Sequence, residues 1–331
     1  MKDVALILDI ISGYDGYDNL TSEARYPENG YTAQVVDKDA LRGLKLGLPW
    51  YPYWSTIQHI NAPGNREVYE RTVAELKMAG AEIYNITDTA PFLGIANPYG
   101  AGQPADTPSE LSHSIAFATL LAVGYGEWLQ NWTFPEGDER RGMSTLAEMA
   151  AWNIAHNDTT GALGNNTWWW DTTSGQTFYD AGVKTNGTMG SAFWTAFGWS
   201  RFRARQAIDM AHEYVTENGT AVKLDGLLVP NGRTGGGSNA CAALPSYAGY
   251  PIAAVPIGMD SYSTPYGLCI YGQQYSEAKL IKIGSAIGDL FQWNEKPSWH
   301  GYQTAKGPPG APWPGYTCST TSLDHYGCDE A

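Results

Sequence analysis

The chain has 331 residues, enough to bury a sizeable core as one large domain or two smaller ones. Its formal net charge of −14 argues against nucleic acid or an anionic membrane as partner, because both demand a basic face, and no stretch is long enough to span a bilayer. Only 16% of the residues are charged while Gly, Tyr, Trp, Asn and Thr are plentiful, so the surface is polar through hydroxyls and amides, as is common in secreted proteins.

Met1 to Gly13 contains an apolar run, Val4 to Ile11, that could be taken for a secretory leader. Asp3 and Asp9 interrupt it and no small-residue cleavage site follows, so it reads as a helix of the fold. Leu44 to Pro49 is a short strand. Asn65 to Ala79 has helical periodicity, with Val68, Val73 and Leu76 facing inward; Gly80 stops it and Ala81 to Ile86 resumes as a strand. This order predicts a βαβ unit with parallel strands and a right-handed crossover. Ser109 to Gly124 and Thr145 to Asn157 are further helices, the second opened by a capping box of Thr145 and Glu148. Asn157 to Gly190 reads as an irregular excursion, Ser191 to Asn218 as a long helical region and Leu224 to Val229 as a buried strand.

Toward the carboxyl end, Gly249 and Pro251 break the chain before an apolar run that ends at Val255 and is closed by Pro256. Tyr266 to Tyr271 is a second run, a neighbour across the turn-rich Gly258 to Pro265. Ser276 is placed to cap a helix whose buried face is Ala278, Leu280, Ile281, Ile283, Ile287 and Leu290. The fold class is α/β, a mixed β-sheet covered by helices over residues 1–296. From Pro297 the composition shifts to a Pro/Gly/Thr-rich extended tail, residues 297–331.

Several of these segments, in order over about 290 residues, resemble the amidase signature family. They are Leu8 to Gly13 with Asp15 and Asp18, Leu41 to Pro49, Leu76 to Glu82, Thr145 to Asn153 with Gly175 to Phe178, Leu224 to Pro230, and Ala248-Gly249-Tyr250-Pro251 through Gly258. The middle pair is similar to the peptide-amidase-like branch found among fungal and plant members. The resemblance implies part of the amidase fold, its later half or more. It also implies hydrolysis of an amide carbon–nitrogen bond by a serine nucleophile, a bridging serine and a neutral lysine, with backbone N–H groups as oxyanion hole. The family's Gly/Ser-rich signature and its lysine strand have no counterpart here, so no catalytic residue is assigned and the chain is expected to be inactive alone. The alternative is a non-catalytic secreted binding protein that kept the scaffold. Asn231, Ser238 and Asn239, polar groups between two predicted strands, are the expected substrate-binding neighbours of a small amide; their bland alternative is a solvated loop.

Other chemistry is poorly supported. Gly235-Gly236-Gly237-Ser238 reads as a flexible turn rather than a nucleophile loop, and Lys223 as a solvated residue. His59, His113, His156, His212, His300 and His325 lack paired ligand spacing, so neither a metal nor a cofactor is expected. Trp168-Trp169-Trp170 reads as packing more readily than as a sugar platform. Asn-X-Thr sequons at Asn19, Asn85, Asn131, Asn157, Asn165, Asn186 and Asn218 are candidate glycosylation sites and favour secretion over the cytoplasm. Cys269, inside an apolar strand, reads as a buried small hydrophobe. As a fragment of a sheet the chain is expected to self-associate. Cys318 and Cys328, in a tail with little means of packing itself, are expected to form a disulfide worth roughly 2–3 kcal/mol for a loop of about ten residues. Peptide mapping without reduction checks this, and free thiols at both positions in secreted protein would refute it.

Overall fold

The computed structural model describes residues 1–17, 19–54, 65–87, 111, 113–155, 176–231, 241, 243–259, 265–292, 316–318 and 328–330. In chain order the elements are α1 Lys2–Ile11, β1 Lys45–Pro49, α2 Asn65–Met78, β2 Glu82–Ile86, α3 His113–Gln130, α4 Leu146–Ala155, α5 Thr177–Thr185 and α6 Ser191–His212. There follow β3 Glu213–Val215, β4 Ala221–Lys223, β5 Gly226–Asn231, α7 Ala243–Ala248, β6 Ile252–Met259, β7 Pro265–Tyr271, α8 Glu277–Phe291, β8 Tyr316–Cys318 and β9 Cys328–Glu330. The chain divides into two compact units, Met1–His113 with Thr195–Glu295 and Ser114–Trp194 with Lys296–Ala331.

The first unit is built on a mixed five-stranded sheet of order β2-β1-β5-β7-β6. β1 runs parallel to β2 and to β5, as the strand-helix-strand spacing predicts, and β7 is antiparallel to both β5 and β6. Every residue of β5 from Gly226 to Pro230 is buried, the pattern of a strand covered on both faces. α8 supplies part of that cover through Leu280, Ile283, Ala286 and Ile287, close to the face read from the sequence. A smaller cluster joins Ala5 of α1 to Tyr31 and Ile281. Asp9 fixes this junction: its carboxylate accepts from the Tyr31 N–H, the Thr32 hydroxyl and the Thr32 N–H at 2.9 Å, which holds it below its ordinary range. The outward side of α1 is apolar as well, with Leu6, Ile7, Ile10 and Ile11 exposed.

Two glycines explain their own positions. A Cβ on Gly47 would lie 2.6 Å from Leu224 Cδ1 and 2.9 Å from both Ile86 Cδ1 and Leu227 Cδ2, so β1 approaches its neighbours only because that position is bare. Gly249 has φ +65° and the Arg201 Nη2 atom 2.9 Å from where its Cβ would stand. The left-handed backbone of the turn after α7 is what favours glycine there, since the Arg201 guanidinium at the end of a flexible side chain could shift.

In the second unit the capping box is formed: Glu148 accepts from the Thr145 N–H at 2.9 Å, and the Glu148 N–H donates to Thr145 Oγ1 at 3.2 Å. Gln176 is buried and couples α4 to the start of α5, donating to Ala150 O at 2.9 Å and accepting from Asn153 Nδ2 at 2.9 Å. α5 itself corrects the expectation of irregular structure across 157–190, whose residues 157–175 lie outside the described ones. α3 runs on through Gly124 to Gln130, because a mid-helix glycine weakens a helix without ending it.

Other differences have local causes. α6 stops at His212, and the segment read as its continuation folds back as a β3–β4 hairpin around Asn218-Gly219, where Gly219 has φ +79°. β6 passes through Pro256 to Met259 with a register shift between Pro256 and Gly258; an edge strand has room for a residue without an N–H. Ser276 stands at the α8 N-cap but makes no capping bond, its hydroxyl donating to Gln273 O at 2.7 Å instead. In the region read as tail, β8 and β9 pair with Cys318 directly opposite Cys328. Gly47→Ala should destabilise the chain by about 1–3 kcal/mol through overpacking, measured by urea unfolding.

Candidate functional site

The carboxyl ends of the parallel strands β1, β2 and β5 lie on one side of the sheet, the side where α/β proteins gather ligands. β5 ends there at Asn231, paired with Gly267 of β7. A Cβ on Gly267 would lie 3.1 Å from Val255 O and 3.7 Å from Asn231 Nδ2, so the bare position leaves room beside the asparagine. Asn231 is half-buried and offers both an amide donor and a carbonyl acceptor, the complement of an amide group.

Beneath this strand end lies an aromatic platform. Trp54 Nε1 donates to Leu228 O at 2.7 Å and the Tyr69 hydroxyl donates to Gly267 O at 3.3 Å. Trp54 meets Tyr69 edge-on at 6.0 Å, and Tyr69 meets Tyr266 edge-on at 5.7 Å. All three rings are buried, and burial raises the Tyr69 phenol far above its ordinary value. Tyr53 is likewise pushed up to about 12 by burial. These phenols remain protonated at neutral pH; the Tyr69 hydroxyl serves as a donor, and both rings serve as packing surfaces. Sequence reasoning did not single them out, since Tyr and Trp are common throughout this chain.

Of the other expected site residues, Ser238 and Asn239 lie outside the described residues, as do the Gly235 to Gly237 run and Trp168 to Trp170. Cys241, where description resumes, is bonded to Cys269 of β7, 28 residues away. Cys269 reads in sequence as a buried small hydrophobe; it is buried, but as half of a disulfide. It is wholly buried, but sequence could not show that its Cα stands 5.6 Å from that of Cys241, within disulfide range. Lys223 is exposed on β4, as expected. Asn85, Asn131, Asn186 and Asn218 are exposed. Among the described residues no group of three or more His, Cys, Asp or Glu is placed to hold a metal ion, and no helix is long and apolar enough to cross a membrane.

A polar network occupies the opposite end of the sheet. Asp209 of α6 accepts from the Tyr250 hydroxyl at 2.8 Å and from Gln273 Nε2 at 3.0 Å, beside an open cavity of about 460 Å³ also lined by Met210, Glu213 and Gln274. Arg205 stands 5.6 Å from the centre of the Tyr250 ring and donates to Ala248 O at 2.8 Å. Burial and the Asp209 bond push the Tyr250 phenol up to about 12. Because its polar groups are spent on one another, this network ties α6 to β6 and β7. One turn on, His212 is buried with Nδ1 2.8 Å from Ile208 O, and burial holds its pKa below the ordinary value.

No family model matches the sequence. The chain is 27% identical over 307 residues, 91% of its length, to amidase C869.01 of Schizosaccharomyces pombe, and 26% identical over 289 residues, 87% of its length, to amidase At4g34880 of Arabidopsis thaliana. These similarities to amidases over most of the chain support the resemblance to the amidase signature family. It spans about half the length of these curated relatives, 49% and 46%. Among solved structures, peptide amidase from Stenotrophomonas maltophilia shares the amidase signature fold with a TM-score of 0.63 and 23% identity, over 90% of this chain and 53% of that one. The family motif Ala248 to Pro251 thus has a structural reason in this chain: Gly249 makes the turn against Arg201, and Tyr250 reaches Asp209.

His212 gives a pH dependence with a definite sign. Its proton affinity is lower folded than unfolded, so the unfolded chain takes up the proton first as pH falls. The stability carried by the neutral ring is complete above about pH 6.5 and is lost as pH drops below it. Urea unfolding at pH 7.5 and 5.5 should show a larger loss for the wild type than for His212→Gln; equal losses would refute the assignment.

Proposed function

We propose that this chain carries the scaffold and pocket loop of a hydrolase of small primary or aryl amides, and that the serine nucleophile, bridging serine and lysine base belong to the portion of the relatives that it does not span. The observation that carries this reading is the similarity to amidases over about nine-tenths of the chain. Asn231 at the carboxyl end of β5 supports it, because a side-chain amide there can orient a substrate amide. Ser238 and Asn239, seven and eight residues further on, are proposed as its neighbours on the same loop. Lacking nucleophile, base and oxyanion donors, the chain alone supplies binding at most.

Two further properties belong to this reading. The exposed apolar side of α1 supports self-association of the chain in isolation. The Cys241–Cys269 disulfide and the exposed sequons at Asn85, Asn131, Asn186 and Asn218 support passage through an oxidising secretory compartment.

The test compares the 331-residue chain with the same chain joined behind the upstream half of an amidase relative. Ammonia release from amides and labelling by a serine-reactive fluorophosphonate are expected from the joined protein alone. Turnover by the 331-residue chain, abolished by Ser238→Ala, would overturn the proposal and move the nucleophile into the loop. In the same preparations, a compact monomer on size exclusion would refute self-association. A mass unchanged by an N-glycan-removing enzyme, in protein secreted by a eukaryotic host, would refute glycosylation.

A further inference from the structure

We infer that Asn131 carries an N-linked glycan whose first sugar lies over the paired indoles of Trp128 and Trp132. This deepens the secretory reading proposed above and rests on it. The two indoles stand at the carboxyl end of α3 and in the turn after it, with ring centroids 4.7 Å apart, and they are 48% and 51% exposed. Phe134 extends the row at 6.3 Å from Trp132, and the Arg140 guanidinium lies 5.1 Å from the centre of the Phe134 ring. A contiguous exposed aromatic face of this kind marks a contact surface. Its rim favours an uncharged occupant. Glu127, Glu136 and Glu139 are all exposed around it, so a second copy of the chain would bring like charges together and an anionic membrane would be repelled. A sugar meets both demands, because its C–H face packs on an aromatic ring while its hydroxyls stay in water or meet the carboxylates.

The sequon stands at the edge of this face. Asn131-Trp132-Thr133 puts the acceptor amide directly before Trp132 and three residues after Trp128, the helical spacing at which side chains are neighbours. The helical pattern continues through Asn131, whose N–H lies 3.3 Å from Glu127 O and 3.2 Å from Trp128 O. Its side-chain Nδ2 turns back to donate to Glu127 O at 2.8 Å. That bond spends one of the two amide hydrogens, and attachment of a glycan replaces the other. In the transfer from a lipid-diphosphate oligosaccharide, Nδ2 bonds to C1 of the first sugar and gives up one proton to solvent. The bond from C1 to the diphosphate breaks, its electron pair leaving with the phosphate oxygen. The folded turn therefore takes the modification without losing a contact, and the retained bond to Glu127 O holds the attached sugar against the last turn of α3.

The test uses the 331-residue chain secreted from a eukaryotic host. Cleavage after glutamate releases the peptide 128–136, which contains Asn131 and no other sequon, so its mass reports occupancy at this site alone. An endoglycosidase then trims the glycans to their first N-acetylglucosamine. Two references lack the sugar: wild-type protein stripped by an N-glycan-removing enzyme, which leaves an aspartate in place of Asn131, and Thr133→Ala, which abolishes the sequon and keeps both indoles. Hydroxyl-radical oxidation of Trp128 and Trp132 should be at least threefold lower in the trimmed protein than in either reference, with Trp194, exposed elsewhere in the same unit, unchanged. Equal oxidation with and without the sugar, or a parallel change at Trp194, would overturn the inference. So would an unmodified 128–136 peptide. Glycans found then at other sequons would leave the secretory reading standing without this site, and their absence everywhere would take down both.

Discussion

Burial of β5 on both faces is the constraint from which the first unit is organised. A strand with no solvent-facing side must satisfy its backbone through its neighbours: β7 runs antiparallel along one edge of β5 from Leu227 to Asn231, while on the other edge β1 pairs in parallel with Gly226 and Leu227 and the Trp54 indole donates to Leu228 O. Its register is fixed at the amino end by Asp225, whose N–H donates to Lys45 O at 2.7 Å and whose carboxylate accepts from the Lys45 N–H at 3.0 Å. Lys279 Nζ, 3.3 Å from the other carboxylate oxygen, brings α8 to the same corner. A slip of one residue would break all three bonds and leave Asp225 unpaired against the sheet.

The strand end inherits its rigidity from this arrangement. Asn231 is the last residue of a strand that cannot slide, and Gly267 beside it is held from below by Tyr69. The edge-to-face contacts of Trp54, Tyr69 and Tyr266 add directional packing to burial. A site whose chemistry depends on oriented amide groups gains from that stiffness, because misplacement of donors by even an ångström weakens them.

Much of this was legible in the sequence because it is encoded in short-range patterns. The periodicity of Val68, Val73 and Leu76, the Gly80 stop and the Thr145 to Glu148 capping box each require only neighbouring residues, and all are realised. The β3–β4 hairpin also had a local signal, the Asn218-Gly219 pair between short apolar alternations, overshadowed by the helical pattern before it. What could not be read depends on distant partners. The Cys241–Cys269 bond needs α7 and β7 brought together, and Asp209 is distinguished from any other helical aspartate only by Tyr250 and Gln273 arriving across 41 and 64 residues. The resemblance supplied the order of segments; which side chains meet is a matter of packing.

β6 has one further property. Among the described residues it pairs only with β7, and so forms an open border of the sheet. Borders of this kind recruit foreign strands when they offer an unbroken row of donors and acceptors. Pro256 deletes one donor from the row, and the shift in register before Gly258 bends what remains. The residue that looked from sequence like the end of a strand therefore acts as a guard on it, leaving the border paired inward and a poor template for amyloid-like growth.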